Sequence, residues 1–91
     1  MQFTDHNLNY RHAGDVVIVQ LQGSEANIQL VDTANFNRYR SGQRHNYVGG
    51  HYRSSPVRLV VPNDGHWHVV VDLGGHGGTV RSTVQILSRG S

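Results

Sequence analysis

The chain has 91 residues, a formal net charge of +2 with histidines neutral, and no cysteine. That length supports one modest core and excludes two. The missing thiols exclude a disulfide scaffold and any zinc site built on thiolates.

Hydrophobic residues make up 36% of the sequence, which suits a thin β-fold whose strands each turn one face to water. A core that small leaves a narrow stability margin, so a homodimer or an attached neighbour domain is compatible with it. No apolar run approaches the roughly 20 residues needed to cross a bilayer. Residues 1–10 lack the basic and apolar regions of a signal peptide, so the expected setting is the bacterial cytoplasm, without membrane contact. A single β-sandwich domain is expected over residues 1–89, with Gly90-Ser91 set aside as an expression-tag remnant.

The basic residues are unevenly placed. All eight are Arg. No acidic residue falls between Asp32 and Asp64, yet Arg38, Arg40, Arg44, Arg53 and Arg58 lie there with His45 and His51.

In chain order, residues 2–8 read as a short first strand with Phe3 inward, and Gly14-Asp15 as a turn. Residues 16–22 follow as a strand burying Val17, Val19 and Leu21. Gly23-Ser24 turns the chain into a hairpin partner over 26–31, where Ile28 and Leu30 alternate with Asn27 and Gln29. Asp32 or Thr33 is suited to cap a helix, because a short side-chain oxygen accepts the free N–H groups of a first turn. The helix is expected near 33–41, with Phe36 and Tyr39 on its sheet-facing side and Gly42 as its stop. Residues 43–55 read as an irregular excursion holding a short edge strand at 44–48.

The run from Pro56 to Leu87 carries the strongest pattern. Val57, Leu59 and Val61 share one face, and Pro62-Asn63-Asp64-Gly65 has the chemistry of a hairpin turn. Trp67, Val69, Val71 and Leu73 then oppose His66, His68, Val70 and Asp72. Gly74-Gly75-His76-Gly77-Gly78 reads as a plain hairpin loop, since the helix that follows a phosphate-cradling loop is missing. Val80, Ser82, Val84 and Ile86 alternate with Arg81, Thr83, Gln85 and Leu87. No helix is long enough for a parallel crossover. The expected fold is all-β, an antiparallel β-sandwich or barrel-like meander with one short inserted helix.

The residues Gly14-Asp15-Val16-Val17, the stretch 32–39 with Phe36-Asn37, and Ser55-Pro56-Val57-Arg58-Leu59 through Pro62 carry a resemblance. The string Gly65-His66-Trp67-His68-Val69-Val70-Val71-Asp72-Leu73-Gly74-Gly75 and Thr79-Val80-Arg81 complete it. Over nearly its whole length the chain resembles the bacterial family called domain of unknown function 1883. That family has no assigned activity, so the resemblance implies a domain rather than a reaction. Some relatives are joined to TIR domains, which implies a sensing or regulatory accessory role. Looser likeness to secreted pre-peptidase-type sandwiches concerns architecture alone.

Two clusters carry candidate chemistry. Arg38, Arg40, Arg44 and Arg53, interleaved with Tyr39, Tyr47 and Tyr52, suit an anionic ligand or an acidic protein surface. Guanidinium groups bind phosphate and carboxylate in bidentate fashion and stack on aromatic rings. Nucleic acid ranks below these, and the plainer reading is a solvated, solubilising face. The second cluster is His66, His68 and Asp72 on one strand face, with His76 nearby. Imidazole and carboxylate suit a divalent transition metal, whereas the plainer reading is a polar, hydrogen-bonded strand face with no cofactor. No catalytic residues are assigned, since six singly scattered acids give no paired-carboxylate arrangement. The expected protein is a non-enzymatic binding or regulatory module, with a metal-binding sandwich or a structural oligomerisation domain as the alternatives.

Overall fold

The computed structural model describes residues 2–75 and 77–88. The chain runs β1 (Phe3–Arg11), β2 (Val16–Gly23), β3 (Ala26–Asp32), α1 (Thr33–Arg40), β4 (Val48–Tyr52), β5 (Val57–Val60), β6 (Gly65–Asp72) and β7 (Val80–Leu87). Two antiparallel sheets form, one ordered β1-β6-β3-β4 and the other β5-β2-β7. Leu8, Ala26, Ile28, Leu30, Trp67, Val69 and Val71 of the first sheet meet Val17, Val19, Val57 and Leu59 of the second in one core. This is the expected all-β sandwich. Each fully buried Val, Leu or Ile in it contributes roughly 1.5–3 kcal/mol of transfer free energy.

The inward sets follow the alternation of the sequence. Val17 and Val19 are fully buried, Leu21 is packed against the core, and Gln20 and Gln22 are exposed. Trp67, Val69 and Val71 turn into the sandwich. Val70 is nevertheless equally buried, because α1 lies on the outer face of the four-stranded sheet and packs Phe36 onto Val31 and Val70. That second layer is why the three consecutive valines at 69–71 show no polar alternate.

The connections differ from expectation. β2 and β3, β5 and β6, and β6 and β7 each lie in different sheets, so the turns expected at Gly23-Ser24 and at Pro62-Asn63-Asp64-Gly65 are arches, and none of these strand pairs is a hairpin. The last three strands are accordingly no meander: β5 and β7 flank β2, while β6 sits between β1 and β3. Turn residues set the local bend but not which strand becomes the neighbour. Among the described residues the only consecutive strands that pair are β3 and β4, and the helix lies in the link between them.

Boundaries shift as well. β1 extends to Arg11 beyond a bulge between Asn7 and Asn9, where Asn9 adopts a φ of 60°, a left-handed conformation that Asn tolerates. Phe3 does not enter the sandwich core; it packs outside, against Phe36 and Tyr39 of the helix. Asp32 is the cap, accepting from the Asn35 amide at 2.8 Å. The helix ends at Arg40, one residue earlier than expected. Gln43 N–H then donates to the Arg38 carbonyl at 2.8 Å with Gly42 at φ 73°, a closing motif that needs a left-handed residue. The short strand after the helix is at Val48–Tyr52 and not at 44–48.

Candidate functional site

The Arg-bearing segment divides in two. Arg38 and Arg40 occupy the exposed last turn of α1, where cations complement the negative end of the helix dipole. Arg44 is exposed in the loop that follows. Arg40 also places its guanidinium 5.3 Å from the centroid of the Phe36 ring, within reach of a cation–π attraction. Arg53 stands apart just beyond β4, with its Nε 3.3 Å from Glu25. Among the described residues Arg38, Arg40 and Arg44 form no ion pair.

The three tyrosines go to three environments. Tyr52 is half-buried and packs against the sandwich core. Tyr47 is exposed, with its ring 5.5 Å from His45. Tyr39 reaches across the outer face of the sheet and donates to Asp72 Oδ2 at 2.5 Å. Burial, followed by the hydrogen bond to Asp72 and its charge, raises the Tyr39 hydroxyl pKa well above the usual tyrosine range.

The second candidate set also separates. His66 is exposed and meets Tyr10 edge-on at 5.7 Å. His68 is buried and stacked on Phe36 at 4.3 Å, and its Nδ1 lies 3.0 Å from Asp5 Oδ1. Asp72, 5% exposed, accepts from Asn27 Nδ2 at 2.9 Å and Gly74 N–H at 2.8 Å on Oδ1, besides Tyr39 on Oδ2. Among the described residues no group of three or more His, Asp or Glu side chains gathers as metal ligands. His76 lies outside the described residues, as do Gly90 and Ser91.

Several participants carry no local signal in the sequence. A polar chain crosses the outer sheet face: Arg53 pairs with Glu25, Glu25 with His51 at 3.3 Å, His51 Nδ1 with Asn27 Oδ1 at 2.9 Å, and Asn27 with Asp72. Its members come from three separate stretches that only the β4-β3-β6 register aligns. The same holds for Asp5, 63 positions from its partner His68. On the inner side, His6 Nε2 lies 2.8 Å from Ser82 Oγ and links β1 to β7 across the open edge of the sandwich. Burial lowers the pKa of His6 from its usual value, opposed in part by Asp5.

Among the described residues, cavities of about 530, 390 and 240 Å³ open on the surface, and none of these three is lined by an Arg. The smallest lies between the start of α1, the 46–48 segment and the β5–β6 arch, against Trp67. The arginines therefore lie outside these three cavities. Among the described residues no helix is long and apolar enough to cross a membrane.

The fold and these surfaces accompany a match to a family model, Domain of unknown function (DUF1883), over residues 1–90. The chain belongs to that family. No curated protein and no solved structure matches it. Membership accounts for the whole sandwich with its inserted helix as one family unit, and assigns it no reaction.

Proposed function

We propose that this domain is a non-enzymatic binding and regulatory module that offers Arg38, Arg40 and Arg44 to an acidic protein surface. The supporting observation is that three exposed guanidiniums follow one another around the end of α1 with no carboxylate partner among the described residues. A guanidinium left without an internal anion retains its bidentate capacity for an external one. Because none of the three cavities described above has an Arg lining, an extended acidic surface fits better than an enclosed nucleotide. Arg53 is already engaged by Glu25 and has a supporting role at most. The regulatory part of this reading follows what the resemblance described under Sequence analysis implies.

The test is binding of poly-glutamate to the full chain at low salt, compared with the Arg38→Ala, Arg44→Ala double variant. Affinity is expected to fall about tenfold, or 1.4 kcal/mol, and to weaken as salt screens the contact. Unchanged affinity at low salt in a folded double variant overturns the proposal.

A second reading, self-association, has its own observation. Among the described residues no helix or strand covers the outer face of the three-stranded sheet, and there Val60 (53% exposed) and Leu87 (46% exposed) flank Val16 directly across the strands. Light scattering across concentrations tests it: a dimer that Val60→Asp dissociates supports this reading, and a monomer at all concentrations ends it.

A further inference from the structure

The cavity of about 240 Å³ beside the start of α1 has walls contributed by Asp32, Asn46, Tyr47, Pro62, Asn63 and Trp67. We infer that it binds one ring of a neutral saccharide. Its size lies just below the range usual for small-molecule sites, which suits a single pyranose better than a nucleotide or an extended peptide.

The polar groups on these walls are held in place, yet several are not used by the fold. Asp32 Oδ1 accepts both the backbone and side-chain N–H groups of Asn35, at 2.8 and 2.9 Å. Asn35 Oδ1 in turn accepts the Asn46 backbone N–H at 2.9 Å, which ties the loop to the first turn of the helix. Trp67 Nε1 donates to the Asn63 carbonyl at 2.8 Å and fixes the arch over the indole. His45 buttresses Tyr47, and His45 is itself held by Gln29 Oε1 at 2.6 Å. Among the described residues, Asp32 Oδ2, the Asn46 and Asn63 side-chain amides and the Tyr47 hydroxyl are left without partners.

That inventory matches sugar chemistry. A hydroxyl both donates and accepts, so neighbouring hydroxyls pair well with an amide, which does both, and with a carboxylate, which accepts. The C–H face of the ring is apolar and packs on the exposed Tyr47 ring and on Pro62. No Arg or His lines the cavity, and its one charged group is the Asp32 carboxylate. An anionic sugar phosphate is therefore disfavoured. A nucleobase held between two aromatic rings is also disfavoured, because Trp67 is only 6% exposed and Tyr47 is left as the one open ring of the lining. Prior fixing of the wall reduces the ordering cost of binding.

The chain has one tryptophan, and it lines this cavity, so its emission follows binding there with no second indole contributing. The full chain is titrated separately with glucose, galactose, N-acetylglucosamine and adenosine, and saturation-transfer NMR gives a second readout. At least one sugar is expected to saturate with a Kd of roughly millimolar order. Asn46→Ala and Tyr47→Ala, both at exposed positions, are expected to weaken it about tenfold each, with unchanged far-UV circular dichroism. The inference is overturned if no sugar saturates up to roughly 50 mM. It is equally overturned if both variants bind as the parent does, or if adenosine alone saturates.

Discussion

Tyr39 holds the helix to the sheet by donating its phenolic hydrogen to Asp72, a carboxylate 5% exposed on the neighbouring strand face, at 2.5 Å. The same ring packs edge-on against Phe3 at 5.2 Å. Replacing Tyr39 by Phe keeps the ring contact and removes the donor from Asp72 Oδ2. Hydrogen bonds to charged groups contribute about 1.5–3 kcal/mol, so Tyr39→Phe is expected to lose that amount in urea denaturation. A loss below about 0.5 kcal/mol, the level of an ordinary surface substitution, contradicts this account of the helix.

The same pair governs behaviour in alkali. The folded-state pKa of Tyr39 is raised by burial and by Asp72, so in that range the native state binds more protons than the unfolded chain. The Tyr39 contribution is therefore complete below the unfolded pKa of about 10 and is lost as pH rises through the folded value. Melting temperature is expected to fall above about pH 10, and Tyr39→Phe to flatten part of that slope. Identical slopes in parent and variant count against the raised pKa.

His6 supplies the acid-side counterpart. Its pKa is lowered by burial beside Ser82, so the unfolded chain binds the extra proton. Its contribution is complete above the ordinary value of 6.5 and is lost as pH falls through the lower folded value. Stability is expected to decline as pH drops below 6.5, and His6→Gln, which cannot ionise, is expected to reduce that decline. Thermal melts of both proteins across this range provide the check.

Two adjacent glycines give a steric prediction with its own control. Gly49 has a φ of 141°, and a Cβ there would lie 2.0 Å from the Ile28 carbonyl oxygen. A Cβ at Gly50 meets nothing within 4 Å. Gly49→Ala forces β4 away from β3 and is expected to cost more than the roughly 1–3 kcal/mol of backbone strain alone. Gly50→Ala is expected to be nearly neutral. Equal denaturation midpoints for the two variants refute this β3–β4 packing.

The inward faces of β2, β6 and β7 were legible because alternation reports directly on which side of a strand meets apolar neighbours. The helix was legible from the Asp32 cap and the Phe36, Tyr39 spacing. What alternation does not encode is partnership. Pro62-Asn63-Asp64-Gly65 bends the chain equally well into a hairpin or into the facing sheet, and long-range packing decides between them. The Arg concentration was visible in the sequence, but Arg53 separates from the others because Glu25 lies beside the end of β4. The outer-face burial of Val70 had a sequence signal in the unbroken Val69-Val70-Val71 run, which marks a strand covered on both sides. The small cavity had none, since Asp32, Asn46, Asn63 and Trp67 converge only after three distant segments dock.

Because almost every link jumps between layers, each sheet is stitched together from segments far apart along the polypeptide. Neither layer can zip up on its own from one end, so loop-closure entropy must be met before any ladder is complete. Assembly is therefore expected to be all-or-none and slow for a chain of this size. Any cut through the middle strips strands from both layers at once, so the domain has no autonomous half.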